Sequence, residues 1–314
     1  MNFTGLFFYE GRATTTLTAY YDLSVGPVSF DFVVFGIKAK MEAARIGATR
    51  LHIVIVPDPR GIGGMFRDKT ALYDEAEMRW RLWNILIPAC QLLGASVTLA
   101  LDWLQAKRIA SEKEWKQWPH DWDQQTLKDR RHLIGDVITW RRAGQQVPTL
   151  RASEHARRKV KQAYRLLGRP VVTMTLRNTY LKERNSDVAA WLVARQNIEA
   201  KGFAVVTLED TNVALGQGQG YGELNLDLRA ACYEEAAINL QSNNGAASLC
   251  WFSDRPYRMF GAGVPMDEWQ GLFVKQGLHY GESWPWALEQ QKLVYGPTTQ
   301  NQIIEEFDAW AAGR

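Results

Sequence analysis

The side chains in this chain that could do chemistry gather at turns, and the most suggestive turn is Ser242-Asn243-Asn244-Gly245. Short hydroxyl and amide side chains next to free backbone N–H groups suit a phosphate or a ribose. Gly245 would let a ligand approach the backbone closely. The same letters also describe a helix stop followed by a buried strand, Ala246 to Phe252, and the residues alone leave both readings open. Arg177 directly follows the apolar run Val171 to Leu176, where it could present a planar fork to a diphosphate. An ion pair with Asp187 is the competing use. Asn178 and Arg184 share its loop, and Asp210 and Thr211 close the next apolar run. The available acid/base groups are carboxylates. Asp31 opens a helical stretch and Asp58 ends a strand, and either could take the proton of an acceptor hydroxyl. A purely local role at a helix start is the alternative for Asp31.

Other chemistries lack their residues. The five histidines are scattered, and His52, inside a strand, reads as a core residue. Cys90, Cys232 and Cys250 lie far apart in apolar or helical surroundings, as buried thiols of a reducing compartment do. No metal site and no cofactor is expected. Arg60 to Gly64 (RGIGG) lacks the spacing of a dinucleotide fingerprint. Gly216 to Gly222 (GQGQGYG) lacks the Lys-Ser/Thr of a phosphate-binding loop and reads as a flexible loop over a ligand.

Positioning these groups requires buried strands that end at turns. Thr14 to Leu23, Leu51 to Val56 and Ala95 to Leu101 read as strands, alternating with helices over Phe30 to Gly47 and Asp74 to Leu93. Pro88 should bend the second helix. After Arg169 the plan repeats. Strands are expected over Val171 to Leu176, Phe203 to Leu208 and Ala247 to Phe252. Helices are expected from Asp187 to Lys201, Leu226 to Leu240, Met266 to Gly277, Trp284 to Tyr295 and Thr299 to Ala312. In open α/β sheets, ligands bind outside the C-terminal ends of the strands. That rule adds Gly26, Pro27, Ser29 and Arg60 to the candidate cleft.

The chain has 314 residues, the size of two ordinary domains, with 46% hydrophobic and 23% charged residues. We expect an N-terminal domain over 1–167 on the acceptor side and a nucleotide-sugar domain over 168–314, whose last helix packs back on the first. The net charge of +3 is too small to argue for nucleic acid, a partner class ranked last. Between Leu104 and Arg169, however, sixteen Lys or Arg face seven Asp or Glu, an excess of nine (16 minus 7). Such runs form solvated helical surfaces or faces that attract an anion. No run approaches the roughly 18 apolar residues of a membrane span, and no secretory signal opens the chain. A cytoplasmic protein is expected.

At three places the chain resembles sugar-nucleotide transferases of the fucosyltransferase and heptosyltransferase kind, which have the GT-B architecture. The stretch from Ser24 to Ala48, with its glycine turn opening a helix, is similar to the first strand–helix junction of that group. Thr175 to Asp187 (TLRNTYLKERNSD) occupies the place of its basic motif. Arg177 matches there, while Thr175 replaces a histidine and Asn178 a second arginine. Ser242 to Phe252 is similar to its donor-binding turn. The resemblance implies an α/β fold of two facing Rossmann-like domains, with a basic helical connection and a closing C-terminal helix. It implies metal-independent transfer of a sugar from a nucleotide-sugar donor to a glycan or lipid-linked acceptor, in surface polysaccharide assembly. A sugar-nucleotide epimerase or hydrolase on the same fold, or a non-catalytic sugar-nucleotide-binding protein, is the alternative.

Overall fold

A computed structural model describes residues 15–59, 75–112, 116–120, 122–123, 134–177, 185–209, 225–263, 274 and 277–313. The first half runs β1 (Thr16–Asp22), α1 (Asp31–Arg45), β2 (Arg50–Val56), α2 (Glu75–Arg81), a π-helical turn (Leu82–Leu86) and α3 (Ile87–Leu92). It continues through β3 (Ser96–Leu99), α4 (Trp103–Glu112), β4 (Lys116–Trp118) and α5 (Ile134–Arg142). Its sheet has the order β3-β2-β1-β4, with every pair parallel. All seven residues of β1 are buried, as a central parallel strand covered on both faces requires. One face packs Leu17, Tyr21, Ile53 and Ile55 against Phe32, Phe35 and Leu86. Each such side chain contributes about 1.5–3 kcal/mol by leaving water. The other face packs Tyr20, Val54 and Val56 against Ala106 and Trp122. Tyr20 stacks on Trp122 with ring centroids 4.4 Å apart.

Two departures from expectation in this half have local causes. Pro88 cannot donate a backbone hydrogen bond, and the expected bend is realised as the π-helical turn that immediately precedes α3. β4 was not expected, because three residues, two of them polar, carry no readable pattern. Lys38 of α1 is buried beside it, ion-paired with Asp136 of α5. Its ammonium lies 5.7 Å from the Trp118 ring and 5.9 Å from the Trp140 ring. A buried cation needs such neighbours.

The second half runs α6 (Glu154–Leu166), β5 (Val171–Leu176), α7 (Val188–Ala200), β6 (Ala204–Glu209), α8 (Leu226–Glu235) and β7 (Ile238–Ser242). Then come a 3-10 turn (Gly245–Ala247), α9 (Ser248–Trp251), β8 (Tyr257–Ala262), β9 (Gln291–Tyr295) and α10 (Gln300–Ala312). Its sheet is parallel throughout, in the order β6-β5-β7-β8-β9. The expected helix from Leu226 to Leu240 ends at Glu235, and Ile238–Ser242 is a strand. The expected strand from Ala247 to Phe252 is instead the 3-10 turn and α9. The expected helix from Trp284 to Tyr295 gives way to turns and β9. Nearly all of the helix expected over Met266 to Gly277 lies outside the described residues. The buried face of α10, Ile303, Phe307 and Trp310, packs with Ile198, Trp191 and Phe203 of the second half. Among the described residues, its partners in that cluster all belong to the second half, whereas the sequence suggests that this helix packs on the first.

The two sheets share one hydrophobic core, which runs from Phe32 and Leu86 through Ala231 to Ala247 and Phe252. α3 packs on α8, and the Leu150 N–H donates to the Phe252 carbonyl at 2.7 Å. α6, which sequence placed with the first half, packs on α8. Asp227 of α8 accepts from both the N–H and the hydroxyl of Ser153, the residue that caps α6.

Candidate functional site

Each sheet has one place where the strand order reverses, and ligands of open α/β sheets bind there, beyond the C-terminal strand ends. In the first sheet it lies between β1 and β4. The loop after β1 fills it with three of the residues expected in the cleft. Gly26 packs against the Tyr21 ring, so closely that a Cβ would come within 2.6 Å of it. The Pro27 carbonyl accepts the Tyr21 hydroxyl at 2.7 Å. The Ser29 hydroxyl donates to the Asp31 carboxylate at 3.2 Å, and the Asp31 N–H donates back to the Ser29 oxygen at 3.3 Å. Asp31 is the first residue of α1, and no side chain caps that helix.

The Asp31 side chain is open to solvent, yet protein surrounds it on most sides. Loss of bulk hydration raises its pKa above the ordinary carboxylate value, and the Ser29 hydrogen bond offsets part of that rise. Asp58, the other carboxylate expected to act as a base, is buried at 4% exposure. Arg60 lies outside the described residues.

In the second sheet the order reverses between β5 and β7. Arg177, the residue after β5, is held from both directions. Its N–H donates to the Ser186 hydroxyl at 2.8 Å and its carbonyl accepts the Ser186 N–H at 3.0 Å. Its guanidinium donates to the Asn243 carbonyl at 2.8 Å. The Ser-Asn-Asn-Gly turn is thus reached by a strand rather than by a helix. Of its polar residues, two are consumed by the fold. The buried Ser242 hydroxyl donates to the Thr175 carbonyl at 3.1 Å. The buried Asn244 side chain caps the 3-10 turn by accepting the Ala247 N–H at 3.0 Å. Ser242 and Asn243 both line a cavity of about 210 Å³ beyond the ends of β5, β7 and β8, and of the two only the Ser242 side chain is tied to a strand carbonyl there.

Ser186, Asp187, Trp191, Phe260, Gly261 and Thr298 also line this cavity, and the sequence singled out none of them as a ligand residue. Asp187, expected either to pair with Arg177 or to start a helix, caps α7 through the N–H groups of Ala189 and Ala190. Gly261 has φ +76° at an irregularity in the β8–β9 register. A glycine inside a strand is the signal that could have found it. Asn178, Arg184, Asp210 and Thr211 lie outside the described residues.

The two switch points meet. Gly245 lies so near Phe30 that a Cβ there would come within 3.0 Å of the ring. Asp31 is the next residue. The helix start that carries the carboxylate is therefore set against the turn that receives the Arg177 guanidinium. A proton acceptor on one side and a cation with an amide on the other can serve a displacement at a carbon that bears an anionic leaving group.

Other polar groups at strand ends and turns hold the fold together. Asp102 accepts the Gln105 N–H at 2.7 Å at the start of α4. Asp254, in the Ser253 to Pro256 turn, forms a two-pronged pair with Arg151 at 2.9 and 2.7 Å. His52 is half-buried rather than a core residue, and its ring bonds Ser96 on the neighbouring strand at 2.8 Å. All three cysteines are buried and free.

No protein-family model and no curated protein matches the chain. Among solved structures, it is similar to a glycosyl transferase family 9 protein from Veillonella parvula. The TM-score is 0.53, with 8% identity over 96% of this chain and 98% of that one. An ADP-heptose LPS heptosyltransferase II from E. coli gives a TM-score of 0.45 and 12% identity over 95% and 99% of the two chains, a likeness too slight to add to the first. Two parallel sheets with helices between their strands, matched along nearly the full length of a glycosyltransferase, give this chain a GT-B-like fold of two Rossmann-like units.

Proposed function

We propose that the protein is a glycosyltransferase that moves a sugar from a nucleotide-sugar donor to a hydroxyl acceptor. One observation carries this reading. Phe30, the residue before Asp31, packs on Gly245 of the turn whose Asn243 carbonyl accepts the Arg177 guanidinium, and this reading takes Asp31 as the base and Arg177 as the anion-binding cation of one crevice. In the reaction, the acceptor oxygen bonds to the anomeric carbon and its proton passes to the Asp31 carboxylate. The bond from that carbon to the donor diphosphate breaks, and the electron pair leaves on the diphosphate oxygen. Arg177 stabilises that charge in place of a bound metal. The Asn243 amide and the cavity beside it hold part of the donor. A glycan or lipid-linked acceptor in surface polysaccharide assembly is the class the sequence resemblance suggests.

The test is a panel of GDP-, UDP-, ADP- and CMP-linked sugars, read first by thermal shift and then by nucleotide release with and without acceptor. One donor should raise the melting temperature by mass action, and nucleotide release should depend on an added acceptor. If no donor shifts the transition, the reading fails. Release that needs no acceptor would make the protein a hydrolase.

A further inference from the structure

We propose that the outward face of α6 is a docking surface for an anionic lipid bilayer. This inference does not rest on the proposed reaction. Helix α6 buries Ala156 and Val160 toward α8. Opposite them, Arg158, Lys161 and Arg165 recur at helical spacing and form one exposed basic stripe, flanked by exposed Lys159. Exposed Arg169 follows just beyond the helix end. None of these five cations has an ion-pair partner among the described residues, whereas Arg151 and Arg157, earlier in the same segment, do. The acidic groups nearby are Glu154 and Glu234, both paired with Arg157, Asp227 bonded to the Ser153 cap, and Glu235 beside Tyr164.

Charge alone would describe a solvated helix or a site for any polyanion. Two leucines at the C-terminal end of α6, Leu166 on the Lys159 flank of the stripe and Leu167 on the Val160 side, narrow the choice. Leu166 is 85% exposed and Leu167 44% exposed, between Arg165 and Arg169. Apolar side chains set among cations can enter the boundary between headgroups and acyl chains, while the cations meet lipid phosphates. A nucleic acid offers such leucines nothing comparable.

Co-sedimentation of the full chain with vesicles tests the proposal. Binding is expected to vesicles of phosphatidylglycerol in phosphatidylcholine, not to phosphatidylcholine alone, and should weaken as salt rises. The variant R158E/K161E/R165E should lose at least on the order of a hundredfold in partitioning, because each basic residue near such a surface contributes about a fivefold factor. Leu166→Ser with Leu167→Ser should weaken vesicle binding while leaving retention on a heparin column unchanged. Circular dichroism and the melting transition establish that each variant folds. Failure of the folded wild type to bind phosphatidylglycerol vesicles overturns the proposal. Vesicle binding indifferent to both leucines, matched by equal binding to duplex DNA, overturns it in favour of a general polyanion site.

Discussion

Asp31→Asn keeps the shape of the side chain and removes the proton acceptor. If Asp31 is the base, turnover falls about a hundredfold or more, while the donor-induced thermal shift is retained, because no donor contact is lost. The pH dependence has a definite sign. The folded-state pKa of Asp31 is raised, first by loss of hydration, and the carboxylate must be ionised to accept a proton. Activity should therefore be lost as the pH falls, at a point above the ordinary aspartate value. The same shift acts on stability in the opposite sense. A raised carboxylate pKa means that the charged form is disfavoured in the fold, so its cost grows as the pH rises from the unfolded pKa through the folded one. Asp31→Asn should then melt slightly higher than the wild type at neutral pH and be indistinguishable from it in acid. A melting temperature that drops at neutral pH would show that the carboxylate is a structural partner. Arg177→Ala is the complementary change. It removes a charged donor that also holds the Asn243 carbonyl, so donor affinity should fall about ten- to a hundredfold, measured by titration calorimetry. Unchanged affinity would move the diphosphate elsewhere. At this scale the sequence reveals which turns matter but not which atoms are free. Ser242, Asn243 and Asn244 look alike as letters, yet the side chains of Ser242 and Asn244 satisfy backbone groups, and only Ser242 and Asn243 line the cavity.

The elements that hold these residues were legible where a strand is wholly apolar. Val171–Leu176 and the Ile53–Val56 part of β2 are buried on a parallel sheet, and the sequence located both strands nearly to the residue. The sequence of β7, INLQS, does not read as a strand, because it places polar side chains in the interior. Asn239 is buried there, bonded to the Thr173 hydroxyl at 2.6 Å and to the Tyr233 carbonyl at 3.1 Å. Tertiary partners, invisible in a local pattern, make that strand acceptable. The apolar run after it was read as a strand because a short apolar run has no period to distinguish strand from helix. Two glycines show how these elements set the crevice. Gly245→Val would press a branched side chain into Phe30, and overpacking of this kind costs about 1–3 kcal/mol. It should lower the urea midpoint and turnover together, because Phe30 adjoins Asp31. Gly261→Ala strains a left-handed backbone position by about 1–2 kcal/mol and narrows the space beside Thr298. A loss of donor binding larger than the loss of stability would place the donor in this cavity. Equal losses would leave the cavity a packing defect.

At the scale of the whole molecule, the sequence suggests two domains, and the fold answers with two sheets on one core. Composition and strand count predict the first, because each half carries its own parallel sheet. The second depends on which helices meet, and that is fixed by long-range packing of α3, α6 and α8 and by the Phe30–Gly245 contact. A shared core has a consequence for folding. Separate domains would unfold in separate steps, whereas halves that bury Phe30, Ala247 and Phe252 in one cluster should unfold together. Urea transitions followed by far-ultraviolet circular dichroism and by tryptophan fluorescence should therefore coincide. Phe30→Ala removes a ring that is 6% exposed at the seam, which should cost about 3–5 kcal/mol. With the seam weakened, the two probes should separate, one half melting before the other. Two transitions already present in the wild type would show that the seam is weak. The proposed crevice between Asp31 and Arg177 would then be able to open and close as the halves move, and its geometry would be set by the ligand rather than by the fold.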